Sequence, residues 1–179
     1  MTELSEALSR LAPVDENGNV TVFIETPSGS RHKYDLDETT GLLRWSLELP
    51  EGNHFPCAFG FVPNTLGGDG DELDIALLID GEIPSRTLVA SRLVGVLRLE
   101  QDEDGEMARN DRIVAVAHLS RAHGNIRTLD DLGPDTIWDL SEFFSTYNRM
   151  IGRAHNLLGT GDAAEAHRML DEAIARARA

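Results

Sequence analysis

The sequence predicts a mainly β fold with helices near its C-terminal end, an α+β arrangement that forms a single domain over residues 1–179. Segments typical of strands fill the first two thirds of the chain, with no segment of helical length between them. That succession favours an antiparallel barrel over repeated βαβ units. The last third instead carries apolar residues at helical spacing.

The predicted strands are short runs that are apolar, alternating in polarity or rich in β-branched residues, and Gly, Pro and Asn turns separate them. They cover residues 20–25, 32–36, 42–49, 55–62, 73–79, 87–99 and 113–117. A short helix over residues 3–11 precedes them. The acidic segment Gln101–Glu106 lies between the last two strands and is predicted to be a loop.

Two helices are predicted in the last third of the chain. The first begins at Pro134, a residue that fits the first turn of a helix, and ends at Gly152. The second follows Asp162, which with Glu165 has the spacing of a capping box.

Composition excludes several classes of protein. The formal net charge is −15 with only 16 Lys and Arg, which argues against binding to nucleic acid and suits divalent cations or an acidic surface. Cys57 is the single cysteine, so an internal disulfide is impossible and a reducing compartment is natural. The N-terminus lacks the features of a signal peptide, and no window approaches the length of a membrane span. We therefore expect a cytoplasmic protein.

Three carboxylates, those of Asp69, Asp71 and Asp74, lie within six residues and precede a buried strand. In extended backbone Asp74 faces away from the other two, but a turn near Gly70 would bring all three together. Hard oxygen ligands of this kind suit Mg²⁺, Mn²⁺ or Ca²⁺. An EF-hand is excluded, because Leu73 holds its fifth position and Asp74 holds the position of its glycine. The alternative is a solvated acidic turn that only caps the strand.

This turn and the segments around it resemble the soluble family I inorganic pyrophosphatases. The family signature, Asp-x-Asp-Pro/Glu-hydrophobic-Asp, stands here as residues 69–74. Further matches follow in the family's order at residues 24–30, 33–35, 55–65, 94–97, 113–116 and 143–147. The resemblance implies a five-stranded, OB-like closed β-barrel with flanking C-terminal helices. It also implies a homo-oligomer, usually a hexamer in bacteria.

The resemblance implies hydrolysis of inorganic pyrophosphate, a small-molecule phosphate substrate, to two phosphates with Mg²⁺ as cofactor and Mn²⁺ as the alternative ion. Asp71 would be the general base. Lys33, Arg112 and Tyr147 would contact the substrate. The implied metal ligands are carboxylates of the signature, of the first two strands and of the acidic segment, namely Asp69, Asp71, Asp74, Glu25, Asp35 and either Asp102 or Asp104.

Five positions depart from the family pattern. An arginine is replaced by Leu47, two tyrosines by Phe55 and Phe59, a lysine by Asn148, and a metal-bridging aspartate by Asn110 or, displaced by one residue, by Asp111. These losses leave three functions open. They are a slow pyrophosphatase, an enzyme of the same fold that acts on an organic diphosphate or another substrate, and an oligomeric homologue without turnover.

Overall fold

Five strands form a ring in the computed structural model, which describes residues 3–103, 105–150 and 152–179. The strands are β1 (Val20–Thr26), β2 (His32–Asp37), β3 (Leu42–Glu48), β4 (Ala58–Val62), β5 (Leu73–Leu78), β6 (Leu88–Glu103), β7 (Glu106–Arg109), β8 (Arg112–Ala117) and β9 (His155–Gly161). The ring runs β1, β4, β5, β8, β6 and back to β1, while β2 and β3 form a separate hairpin. The mainly β architecture is therefore confirmed.

The helices follow the predicted order: α1 (Glu3–Ser9), a 3-10 turn (Leu129–Leu132), α2 (Gly133–Met150) and α3 (Ala163–Ala177). Asp162 caps α3, because its carboxylate accepts a hydrogen bond of 2.8 Å from the amide of Glu165. No helix in the described part of the chain is long and apolar enough to cross a membrane.

Two predictions about the strands are wrong. The ring is not wholly antiparallel, since β5 and β8 pair in parallel. They can do so because the long segment that carries β6 and β7 separates them and returns the chain to the same end of the sheet. The acidic segment was predicted to be a loop, but residues 101–103 belong to β6 and pair with β7, which begins at Glu106. The sequence analysis also missed β9, which lines the other edge of β6.

The core consists of two layers of buried side chains that alternate along the strands. Ile75 and Leu77 of β5 face one layer, which includes residues of all five ring strands and the apolar face of α3. Ala76 and Leu78 face the other layer, which lies under α2. Because both faces of β5 are buried, the ends of this strand are held rigidly, and the acidic turn that precedes it starts from a fixed point.

The backbones of β4 and β1 approach each other closely at Gly60. A Cβ atom at Gly60 would lie 1.8 Å from the carbonyl oxygen of Phe23, so only glycine fits at this position. The backbones of the two strands are therefore in direct contact where Gly60 pairs with Ile24.

Cys57 gives a direct test of this packing. Its side chain is buried, and burial raises the pKa of the thiol to about 12 because the thiolate would lose its hydration. At pH 8 only about one thiol in ten thousand would then be ionised. We expect the native protein to react with a disulfide reagent such as Ellman's reagent far more slowly than the denatured protein, which should release one equivalent of chromophore. Rapid stoichiometric reaction of the native protein would contradict the packing.

Candidate active site

A β-bulge in β1 directs Glu25 toward the site. Ile24 pairs with Gly60 and Thr26 with Phe59, so Glu25 is the extra residue between two consecutive partners. Its carboxylate accepts a 2.5 Å hydrogen bond from the amide of Leu36 at the end of β2. The bulge thus ties the ring to the β2–β3 hairpin.

Asp74 and Arg112 face each other across parallel strands. Ile75 pairs with Ile113, so the residues that precede them lie side by side, and the guanidinium of Arg112 is 2.7 Å from the carboxylate of Asp74. The same guanidinium contacts the amide oxygen of Asn110. This ion pair joins a predicted metal ligand to a predicted substrate contact.

The acidic turn before β5 is more open than the strand that it precedes. Gly70 has φ of +95°, and the carboxylate of Asp69 accepts a long 3.3 Å hydrogen bond from the amide of Asp71. The Asp71 side chain is exposed and makes no hydrogen bond or ion pair with any residue that the structure describes. No other side chain of the described residues therefore holds this carboxylate in place.

The hairpin brings a second cation to the site. Lys33 lies on β2, 2.6 Å from the carboxylate of Asp35. Burial alone would lower the pKa of Lys33, but the oxygens of Tyr147 and Asp35 outweigh that effect and raise it, so this side chain stays protonated.

These elements enclose one cavity of about 610 Å³. Seven carboxylates line it, those of Glu25, Asp35, Glu38, Asp69, Asp71, Glu72 and Asp74, against three cations, Lys33, Arg112 and Arg153. The remaining lining includes Gln101, Asn110, Tyr147 and Asn148. Of the ten residues predicted for the site, the cavity gathers eight, including all three signature aspartates.

The excess of negative charge perturbs two carboxyl groups. Burial, followed by repulsion from Asp35 and Asp74, raises the pKa of Glu25 to about 8, despite the amide of Leu36. Burial, followed by repulsion from Glu38, raises the pKa of Glu72 to about 7. Each of these carboxyl groups therefore binds a proton more readily than usual, because burial and the neighbouring carboxylates disfavour its negative charge.

The donor set fits a hard divalent cation, since seven carboxylates line the cavity and the lining, as far as the structure describes it, contains no cysteine or histidine. Within residues 3–103, 105–150 and 152–179, however, no three acidic, His or Cys side chains form a ready metal-binding group. The aspartates share a cavity without converging, as expected for anions that repel one another.

The resemblance implied a metal ligand in the acidic segment, at Asp102 or Asp104. Asp102 does not line the cavity, and its carboxylate instead accepts a 2.8 Å hydrogen bond from the amide of Gly105. Gln101, one residue earlier on β6, lies in the lining. Asp104 lies outside the described residues. Asp111 pairs with Arg109, so the residue of the 110–112 segment that lines the cavity beside Arg112 is the amide Asn110.

Sequence reasoning missed Glu38, Glu72, Gln101 and Arg153. Glu72 lies inside the signature itself, and Arg153 directly follows the glycine predicted to end α2. Spacing along the chain offered no sign that Glu38, beyond the end of β2, would face the same cavity.

Phe55 and Phe59, at positions where the resemblance implies tyrosines, pack into an aromatic cluster. Phe55 and Phe59 pack with ring centroids 5.3 Å apart, and Phe143 lies 5.0 Å from Phe55. Tyr147 extends this cluster and reaches the cavity edge. The pocket between this cluster and Lys33 has a volume of about 70 Å³. Leu47 pairs with Lys33 across the hairpin but does not line the main cavity.

Comparisons with known proteins agree with this geometry. The profile of the family described as inorganic pyrophosphatase matches residues 22–178. A protein of Gluconobacter oxydans named inorganic pyrophosphatase is 31% identical over 176 residues, which cover 96% of this chain and 99% of that protein. One from a Nostoc species is 29% identical over 167 residues, or 93% and 96% of the two chains.

Solved structures agree as well. The inorganic pyrophosphatase of Thermus thermophilus superposes with a TM-score of 0.87 at 27% identity, covering 96% of this chain and 99% of that one. The Helicobacter pylori enzyme gives 0.85 at 29% identity, with coverages of 95% and 99%. The matched segments contain the aspartate signature and the strands that position it. The chain therefore belongs to the inorganic pyrophosphatase family.

Proposed function

We propose that this protein hydrolyses inorganic pyrophosphate to two phosphates with Mg²⁺ as cofactor. One observation carries the proposal: the whole aspartate signature shares a cavity with Lys33, Arg112 and Tyr147 on the family's fold. A cavity lined by seven carboxylates repels a multiply charged anion unless cations accompany it. Divalent ions therefore have to enter with the substrate.

Inorganic pyrophosphate fits better than an organic diphosphate. An organic group would need an apolar subsite, and the pocket that Phe55, Phe59 and Phe143 line together with Lys33 and Arg112 has a volume of about 70 Å³, too small for a nucleoside or a similar group. The remaining lining is strongly polar and charged, which suits a small inorganic anion.

Asp69, Asp71 and Asp74 would hold the divalent cations together with Glu25 and Asp35, which line the same cavity. Bound there, Mg²⁺ would supply a Lewis acid that screens the phosphate charge and acidifies water. Asp102 is left out of this ligand set because it faces away from the cavity. Glu72, whose pKa of about 7 reflects burial and neighbouring carboxylates, borders the same group.

Asp71 would act as the general base. Its carboxylate has no partner among the described residues, whereas Asp74 is held by Arg112 and Asp35 by Lys33. It takes one proton from the attacking water, whose oxygen forms a bond to phosphorus as the bond from phosphorus to the bridging oxygen breaks. The electron pair of that bond stays on the departing phosphate.

Lys33 and Arg112 would neutralise the phosphoryl oxygens. Their ion pairs with Asp35 and Asp74 hold both side chains at the cavity before the anion arrives. Tyr147 lies at the junction of the aromatic cluster and the cavity, where its hydroxyl can donate a hydrogen bond.

Assembly and location stay predictions. A homo-oligomer, a hexamer by resemblance, would cover apolar side chains that are exposed in the single chain, including Leu42, Trp45 and Trp138. A cytoplasmic location fits the single, buried cysteine.

The purified protein should release two phosphates per pyrophosphate in the presence of Mg²⁺, measured by a colorimetric phosphate assay. Excess EDTA should abolish the release, and added Mg²⁺ should restore it, because the anion cannot enter the acidic cavity alone. The absence of phosphate release with both Mg²⁺ and Mn²⁺ would refute the proposed function.

Asp71→Asn should lower kcat by roughly 10²- to 10⁴-fold, since an amide cannot accept the proton. The matched control is Asp171→Asn on the exposed face of α3, which removes the same charge far from the cavity lining. Steady-state kinetics and circular dichroism on both variants separate lost chemistry from lost structure. An Asp71→Asn enzyme within a few-fold of the control would refute the assignment of the base.

A further inference from the structure

The turn that ends α2 places Arg153 at the cavity. The amide of Gly152 donates to the carbonyl oxygen of Arg149 at 3.1 Å, and the amide of Arg153 donates to that of Asn148 at 2.9 Å. With φ of +77° at Gly152, these two bonds form a Schellman motif. Backbone bonds therefore hold Arg153 in position, and its side chain is left free.

The side chains of this motif are unusual. The residues at the positions of Asn148 and Arg153 commonly make an apolar contact that closes the motif. Here both are polar, and both line the main cavity. Such motifs frequently bury an apolar pair at these two positions, whereas here two polar side chains line the cavity.

Arg153 is also the cation in the lining without an internal partner. Lys33 is bound to Asp35 at 2.6 Å and Arg112 to Asp74 at 2.7 Å. The guanidinium of Arg153 makes no hydrogen bond or ion pair with any side chain that the structure describes. An incoming anion can bind it without breaking an existing pair.

Asn148 supplies an independent observation. Its side chain is only 4% exposed, and its amide nitrogen donates to the carbonyl oxygen of Phe144 at 3.1 Å. Its amide oxygen is buried with no partner among the described residues. An amide carries no charge, so Asn148 cannot supply the cationic contact that a lysine would make with a phosphoryl oxygen.

We propose that Arg153 is a substrate-binding residue that contacts the phosphoryl oxygens of the diphosphate and takes over the cationic role that Asn148 cannot fill. A guanidinium can donate two parallel hydrogen bonds to one phosphoryl group, which a lysine cannot do. The proposal rests on the proposed function for the identity of the ligand.

Binding of methylenediphosphonate, a diphosphate analogue that is not hydrolysed, tests the proposal without turnover. In calorimetric titrations with Mg²⁺ present, Arg153→Gln should weaken the affinity roughly tenfold to a hundredfold, the range for a lost hydrogen bond to a charged group. Arg153→Lys should recover part of the loss. In steady-state assays with pyrophosphate, KM should rise more than kcat falls.

Arg149→Gln is the matched control. Arg149 lies in the last turn of the same helix, and its guanidinium donates to the hydroxyl of Thr146 at 3.2 Å, outside the cavity lining. Both arginines lie near the negative C-terminal end of the helix, so both variants lose a favourable charge there. We expect the control to keep its affinity for the analogue within about twofold of the wild type, at a similar thermal unfolding midpoint.

Equal affinities of the Arg153→Gln and Arg149→Gln variants would overturn the proposal, as would a wild-type protein that does not bind the analogue. The two proposals fail separately. A wild type without pyrophosphate turnover whose binding of the analogue still depends on Arg153 would refute the hydrolytic function alone. Normal turnover with unchanged analogue affinity in Arg153→Gln would refute only the role of Arg153.

Discussion

Repulsion among carboxylates that face one cavity is the constraint on which the site depends. Seven acids and three cations line it, and burial raises the pKa of Glu25 to about 8 because its charge has too little compensation. A fold can keep such a group only where rigid strands hold it. The two-sided burial of β5 and the bulge in β1 provide that rigidity, so the core supports the same charges that a divalent cation would stabilise.

The sequence was informative where local pattern and tertiary environment agree. Alternating and apolar runs predicted the ring strands, and Asp162 with Glu165 predicted the start of α3. Strand β9 was missed because its leucines, Leu157 and Leu158, are consecutive and both exposed, so its sequence lacks the alternation of apolar and polar residues that is typical of a strand. The register of the β6–β7 hairpin decides that Gln101 and not Asp102 lines the cavity, and a one-residue shift of this kind is not visible in the spacing of acidic residues.

The family's cationic clamp is reduced in this chain, and the structure suggests how binding persists. Leu47 lies beside Lys33 on the hairpin, while Asn148 presents an acceptor where the resemblance expects a lysine. Arg153 reaches the same cavity from the turn after α2. If Arg153 binds the phosphoryl oxygens as proposed above, the charge missing at Asn148 is offset by one held just beyond the end of the same helix.

The most direct test of the central claim is anomalous diffraction from crystals soaked in Mn²⁺. We expect anomalous peaks about 2.0–2.3 Å from carboxylate oxygens of Asp69, Asp71 and Asp74, with the Asp74 carboxylate shared with or released from Arg112. A cavity without anomalous density, in which the ion pair of Asp74 and Arg112 is unchanged and the acidic turn stays open to solvent, would contradict the account.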